Sequence, residues 1–367
     1  MQSQNAEYLE KLDHLRCLAA SLVVLFHAQL LGGGARVRDY VHLPLIDQGH
    51  IGVHLFMVIS GFILARISAS KDIDTVKFYK NRILRIYPLF VLVVTVGYFS
   101  TPDPRPTSVG IDYLMSLLPI SNLYRLNYGA FGGQLWTIAV ELQFYLLFPF
   151  VLAFRRKYGL LYIAGIVAAA FALRCAQYFH GGTAHAFAYF SLFGSIDLFI
   201  AGMVAAEVHQ KMQERKTKLN LAWSIAVFIA IGAVVTLLFA HRSFFQVDYA
   251  GVATDGVSRS ALWVVWPTLE AGMWSILLLV YLNAMQSIPA SSFVAALGKY
   301  SYSMYAWHIL VIEIAKTHFL WLSPYAFGAL VVLPVTMLIS WWSYYLVEVP
   351  FLSLRSRYTV TMAQGAA

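Results

Sequence analysis

Apolar residues in this chain fall in blocks of roughly 18 to 24, the length a helix needs to cross a hydrocarbon core of ~30 Å. Charged residues make up only 12% of the 367, against about 25% in soluble domains, which is too few to wet a soluble surface of this size. Hydrophobic residues reach 59% and the mean hydropathy is +0.66. The class that follows is all-α: a polytopic membrane protein, a bundle of about ten transmembrane helices. Apolar runs and their polar breaks predict helices near 14–31, 51–67, 83–100, 135–154, 159–179, 187–208, 219–240, 262–285, 303–321 and 325–347. The block Cys17–Leu31 reads as the first retained helix, not a cleaved signal, because Glu10, Asp13 and Arg16 make a poor basic leader and His27 interrupts the apolar run. One transmembrane domain, residues 1–357, and a short cytoplasmic tail, 358–367, are expected.

An even number of crossings puts both termini on one side, and basic loops say which. Of the 26 Lys and Arg residues, 18 fall in the N-terminal segment, in the turns after the second, fourth, sixth and tenth helices, and before the ninth. Short basic loops stay cytoplasmic, so both termini are expected inside. The formal charge of +8 is thus a matter of topology. No single basic stripe gathers it, so no nucleic-acid partner is expected. The longest outer connection, Thr101–Gln134, carries an amphipathic stretch from Ile111 to Tyr124 that suits the membrane surface. Cys17 and Cys175 each lie within an apolar block and read as packed thiols.

Ionisable side chains inside a membrane cost roughly 2.5–3.5 kcal/mol each on insertion scales, so each is a functional candidate. His27 follows Arg16 by eleven residues, about three whole helical turns. The two therefore share a face some ~16 Å apart along the axis. On periodicity alone His27 reads equally as a packing histidine. Arg82 and Arg85, three apart, share a face at the cytoplasmic end of the third helix. With Arg16 they make a guanidinium cluster suited to phosphate, or else serve as topological anchors. Glu141 lies at about the depth of His27, where a carboxylate would fix the imidazole tautomer and raise its basicity, or brace two helices. Small residues in Gly52–Phe62 suggest close helix contact. Asp197, Glu270, His308 and Glu313 are also expected within the membrane, without a partner that spacing identifies. The histidines show no metal-ligand spacing, so no metal is expected.

In their order these segments resemble acyltransferase family 3 of membrane proteins across nearly the whole chain. Arg16 and His27 match its arginine, ten residues, histidine signature, and Gly52–Leu64 is similar to its glycine-valine and serine-glycine-phenylalanine segment. Arg82-Ile83-Leu84-Arg85-Ile86-Tyr87-Pro88 resembles the arginine pair, Leu135–Tyr145 the tryptophan-to-glutamate helix, and Ser301–His308 a further segment near the C-terminus. The resemblance implies ten core helices, cytoplasmic acyl-CoA as donor, and an extracytoplasmic or membrane-associated acceptor such as a polysaccharide or a lipid-linked sugar. It also implies that His27 is essential and that Arg16, Arg82 and Arg85 serve the donor or the site.

The activity expected is O-acetylation: transfer of an acyl group, acetyl above all, from acetyl-CoA or another acyl-CoA to a hydroxyl of a carbohydrate or glycolipid acceptor. CoA phosphates would bind Arg16, Arg82 and Arg85 while His27, oriented by Glu141, takes the hydroxyl proton. An acyl-His27 intermediate stays open. The expected place is a bacterial inner membrane. The rival reading is a transporter or flippase of a lipid-linked sugar, using intramembrane His and Glu as proton relays.

Overall fold

The structure, a computed structural model, describes residues 7–32, 43–69, 71–100, 109–123, 133–240, 258–319 and 321–361. The main helices are α1 (Glu10–Gly32), α2 (Gly52–Ser68), α3 (Thr75–Phe99), α4 (Trp136–Gly181), α5 (Leu192–Glu214), α6 (Leu221–Ala240), α7 (Trp266–Leu282), α8 (Ser301–Ala315) and α9 (Pro324–Ser353). Seven of these, all but α7 and α8, are long and apolar enough to cross a membrane. At 46 residues α4 would be about 69 Å long if straight, twice what one crossing needs. It is broken at Gly159, whose φ of 70° lies in the region that favours glycine. The break falls between the fourth and fifth expected helices, so α4 carries both. Large apolar side chains face outward, among them Leu161 at 82% exposure and Phe179 at 79%. Such a surface is stable only against lipid. The protein is an all-α membrane protein. Of the outer connection, residues 101–108 and 124–132 lie outside the described residues, and Val109–Ser116 within it is a short helix.

The chain divides into two compact units interleaved in sequence. One comprises residues 1–53, 72–146 and 292–360, the other 54–71, 147–291 and 361–367. In the first, α8 packs between α1 and α9. Two turns of α9, Gly328–Val332 and Tyr344–Glu348, are π-helical. Each comes just before a proline, Pro334 or Pro350, which has no N–H for the carbonyl four residues back and would clash with it, so the wider turn absorbs the defect. The apolar run therefore continues past residue 347, where the sequence pattern ended it.

In the second unit α2 crosses α5 with backbones in contact. A Cβ on Gly61 would lie 2.0 Å from the Phe199 carbonyl oxygen, and one on Gly202 the same distance from that of Val58, so only glycine fits at either position. Two intramembrane acids find partners here. Asp197 takes a two-pronged bond from Arg174 (2.9 and 3.1 Å), whose other protons go to the Gly194 and Val264 carbonyls and to Thr268. Glu270 meets His54 Nδ1 at 2.6 Å and accepts from the Trp274 indole at 3.1 Å. Arg174, which sequence counting leaves among the eight basic residues off the cytoplasmic side, is fully buried and belongs to no loop. Glu313 pairs with Lys316 at 2.7 Å near the end of α8, both side chains partly exposed.

Candidate active site

Within the first unit, α8 distributes its side chains among the helices around it. Tyr302 donates to the Ile86 carbonyl of α3 (2.8 Å), and Ser303 to Glu348 of α9 (2.6 Å). Tyr305 takes a proton from Thr137 (2.7 Å) and gives one to the Gln134 carbonyl (2.5 Å), while the Trp307 indole reaches Ser343 (2.9 Å). His308 is left facing α1, where its Nε2 lies 3.2 Å from Nδ1 of His27.

Hydrogen-bond accounting assigns the protons of this pair. His308 Nδ1 is 2.7 Å from the Tyr305 carbonyl, which only accepts, so Nδ1 carries hydrogen and the neutral ring presents a lone pair at Nε2. His27 Nδ1 is 3.0 Å from the Val23 carbonyl and 3.2 Å from that lone pair, so it too carries hydrogen. The lone pair of His27 is therefore on Nε2, the arrangement a general base needs. Val24 and Ala28 beside His27, with Ile309 and Ile312 beside His308, form an apolar cluster with Phe327 and Val332 next to the pair.

Glu141 does not take the place beside His27 that its depth suggested. Its carboxylate accepts the Tyr145 hydroxyl, one helical turn inward, and lies in the field of Arg82 and of Tyr302. Tyr302 precedes His308 by six residues, about 9 Å along α8, and the Arg85 carbon lies 5.9 Å from its ring, so Glu141 belongs to the level of the arginines and not to that of the histidines.

At that level the arginines gather. Arg85 bonds Glu348 at 3.1 Å, and Ser303 satisfies the other carboxylate oxygen. Glu348 is 1% exposed and also feels the charges of Arg16 and Arg355. Arg82 is enclosed by the rings of Phe78, Tyr145 and Tyr358, with its carbon 5.3 to 5.9 Å from their centroids. Its buried Nε has no hydrogen-bond partner among the described residues. Arg16 pairs with Asp13 at 3.1 Å, which also accepts from Tyr8. The structure thus brings Arg16 and Arg85 toward one carboxylate that sequence reasoning did not find, while Arg82 lies in the field of Glu141.

Residues 9–345 match the family model Acyl_transf_3, an acyltransferase domain. The chain belongs to this family. As a family 3 acyltransferase it is similar to a protein of Komagataeibacter xylinus named as the membrane-bound transacylase BcsY, 27% identical over 97% of this chain and 86% of the relative. It is also similar to O-acetyltransferase OatA of Staphylococcus aureus, 23% identical over 94% of this chain. There the match covers 57% of the relative's length. No solved structure matches the chain. The chain is a membrane acyltransferase, and its first unit holds an imidazole pair and an arginine cluster along the same helices.

Proposed function

We infer that this acyltransferase moves an acyl group, acetyl above all, from acyl-CoA to a hydroxyl of a sugar-containing acceptor in or at the membrane. The observation that carries the reading is the His27–His308 pair, set with its free nitrogen on His27 and lying some 9 Å along α8 from the level of the arginines. A donor that is charged at one end and reactive at the other suits that spacing. Its phosphates bind Arg82 and Arg85, with Arg16 contributing charge at the same end, and its arm runs past Glu141 and Tyr302 toward the histidines.

His27 Nε2 takes the proton of the acceptor hydroxyl as the oxygen attacks the thioester carbonyl. The carbon–sulfur bond then breaks, the ester leaves with the acceptor, and the imidazolium returns its proton to the departing thiolate. His308 acts as a positioning residue, accepting the Nδ1 proton of His27 and so holding the ring in one tautomer. Glu141, through Tyr145, steadies the arginine level. The name of OatA, an O-acetyltransferase, supports oxygen as the acceptor atom and acetyl as the group, and the bacterial origin of both relatives supports the bacterial inner membrane as the location. The basic bias of the loops supports cytoplasmic termini and a cytoplasmic donor. Membership of an acyltransferase family gives no support to reading the same residues as a transporter's proton relay.

The test is turnover by the purified protein in lipid nanodiscs, with acetyl-CoA and a panel of sugar acceptors, following CoA release and ester formation together. Acyl transfer by the wild type and its loss in His27→Ala are expected. A His27→Ala rate above about a tenth of wild type removes the base assignment, because general-base catalysis contributes typically 10²–10⁴-fold.

A further inference from the structure

The segment after α9 stays fastened to α3. Asn81, 1% exposed, clasps Ser356 at two points, donating to its carbonyl at 2.6 Å and accepting its N–H at 3.1 Å. Tyr358 is 1% exposed, sits edge-on to Phe78 at 5.5 Å, and accepts the Asp74 N–H at its carbonyl at 2.8 Å. Its hydroxyl lies 3.5 Å from Arg82. Residues 355–358 are thereby laid along the stretch of α3 that presents Arg82, and Arg355, next to the clasped Ser356, is held at the arginine cluster.

Arg355 is half-buried, and among the described residues its guanidinium bonds a backbone carbonyl, that of Leu352 at 3.2 Å, and no carboxylate. Glu348 is already engaged by Arg85 and Ser303. Burial, then the neighbouring charges of Arg85 and Arg82, push Arg355 down to about 10, although arginine ordinarily stays above 12. Like charges held together in a poorly solvated place are unfavourable unless an anion joins them. Arg82, whose charge Arg355 feels, itself carries a buried Nε without a hydrogen-bond partner among the described residues.

We propose that Arg355, held by the Asn81 clasp, is a phosphate ligand that reads the phosphate monoester of the donor. This rests on the acyl-CoA reading above and sharpens it. The clasp sets Arg355 at the level of Arg82 and Arg85, where it adds a further positive charge. That concentration of charge suits the most highly charged phosphate of the donor, which in CoA is the 3′-phosphate monoester of the ribose. A monoester carries about −1.5 to −2 charge, enough to relieve the repulsion, and arginine's fork suits it.

The experiment measures CoA and 3′-dephospho-CoA affinities by calorimetry for protein in phosphatidylcholine nanodiscs. Wild type is expected to prefer CoA by roughly ten- to hundredfold, the worth of one or two charge-assisted bonds. Arg355→Ala erases that preference while still binding dephospho-CoA, which also shows that the variant is folded. Arg355→Lys keeps part of it, Asn81→Ala reduces it, and Arg82→Ala weakens both ligands together. An undiminished preference in Arg355→Ala overturns the proposal and leaves the acyl-CoA reading standing. A wild type that binds neither ligand overturns the acyl-CoA reading, and this assignment with it. Nanodiscs containing phosphatidic acid separate the two phosphate sources: if that lipid competes with CoA in wild type but not in Arg355→Ala, the phosphate belongs to lipid and the donor assignment falls.

Discussion

A histidine backed by a second neutral histidine is oriented without being given a counter-charge. A carboxylate at the position of His308 would stabilise the imidazolium of His27 strongly in so apolar a place, whereas a lone pair only fixes the ring. His27 is thus set to take a proton and release it within one turnover, as transfer from hydroxyl to leaving thiolate requires. On this account His308→Ala should lower kcat by about ten- to hundredfold with CoA affinity unchanged. His308→Gln, whose carbonyl accepts the same proton, should recover part of the loss; equal losses in kcat and CoA affinity would mean that His308 only packs. The arginine end invites a second separation, because Arg85 both bonds Glu348 and is proposed to bind the donor. Arg85→Ala strands a carboxylate that is 1% exposed, and should destabilise the protein by on the order of 3 kcal/mol. Arg82→Ala leaves no such charge behind and should be milder. Replacing both partners, Arg85→Met with Glu348→Leu, should restore thermal stability without restoring donor affinity. Recovery of both would reduce Arg85 to a structural role.

At the level of helices, close contact and local defects fix where side chains end up. The crossing of α2 with α5 depends on Gly61 and Gly202, each with a carbonyl where its Cβ would be. Gly202→Ala should force the helices apart, at a cost of about 1–3 kcal/mol in unfolding measured in detergent. No change in the midpoint would mean that the crossing is looser than described. The same logic explains what the sequence could show of the site. Arg16, His27, Arg82 and Arg85 were legible because residues spaced by whole or nearly whole turns share a face, a property local to one helix. His308 was visible as an intramembrane histidine but not as the partner of His27, since that contact joins residues 281 apart. Depth along a helix does not specify direction around it, so the pairing of Glu141 with Tyr145 is not legible from depth alone. Glu348 escaped notice because the apolar pattern stops at residue 347, and the π turn ahead of Pro350 carries the helix onward. Arg174 falls within the expected helix 159–179, but a lone charge in an apolar block carries no signature of its buried acid.

For the whole molecule, the basic loops make a definite prediction of which segments cross and in which direction. Positive residues resist translocation, so the turn at Lys77, the break in α4 after Arg155, Arg156 and Lys157, and the turn near Lys216 should all face the cytoplasm. The α4 break matters most: a 46-residue helix kinked at Gly159 accounts for two crossings only if its two halves run in opposite directions through the bilayer. His180, at the far end of the second half, should then lie outside, on the same side as the short helix Val109–Ser116. Single cysteines introduced as Lys77→Cys, Lys157→Cys, Lys216→Cys, His180→Cys and Leu114→Cys, in a background with Cys17 and Cys175 replaced by Ser, test this with a membrane-impermeant maleimide. All five positions are exposed. The first three should react only after the membrane is opened, the last two on intact cells. Reaction of positions 157 and 180 from the same side would show that the second half of α4 does not cross, and the even count of helices would fail with it. Reaction of position 77 on intact cells would invert the protein, placing the arginine cluster outside, away from cytoplasmic CoA, and would remove the donor reading at its root.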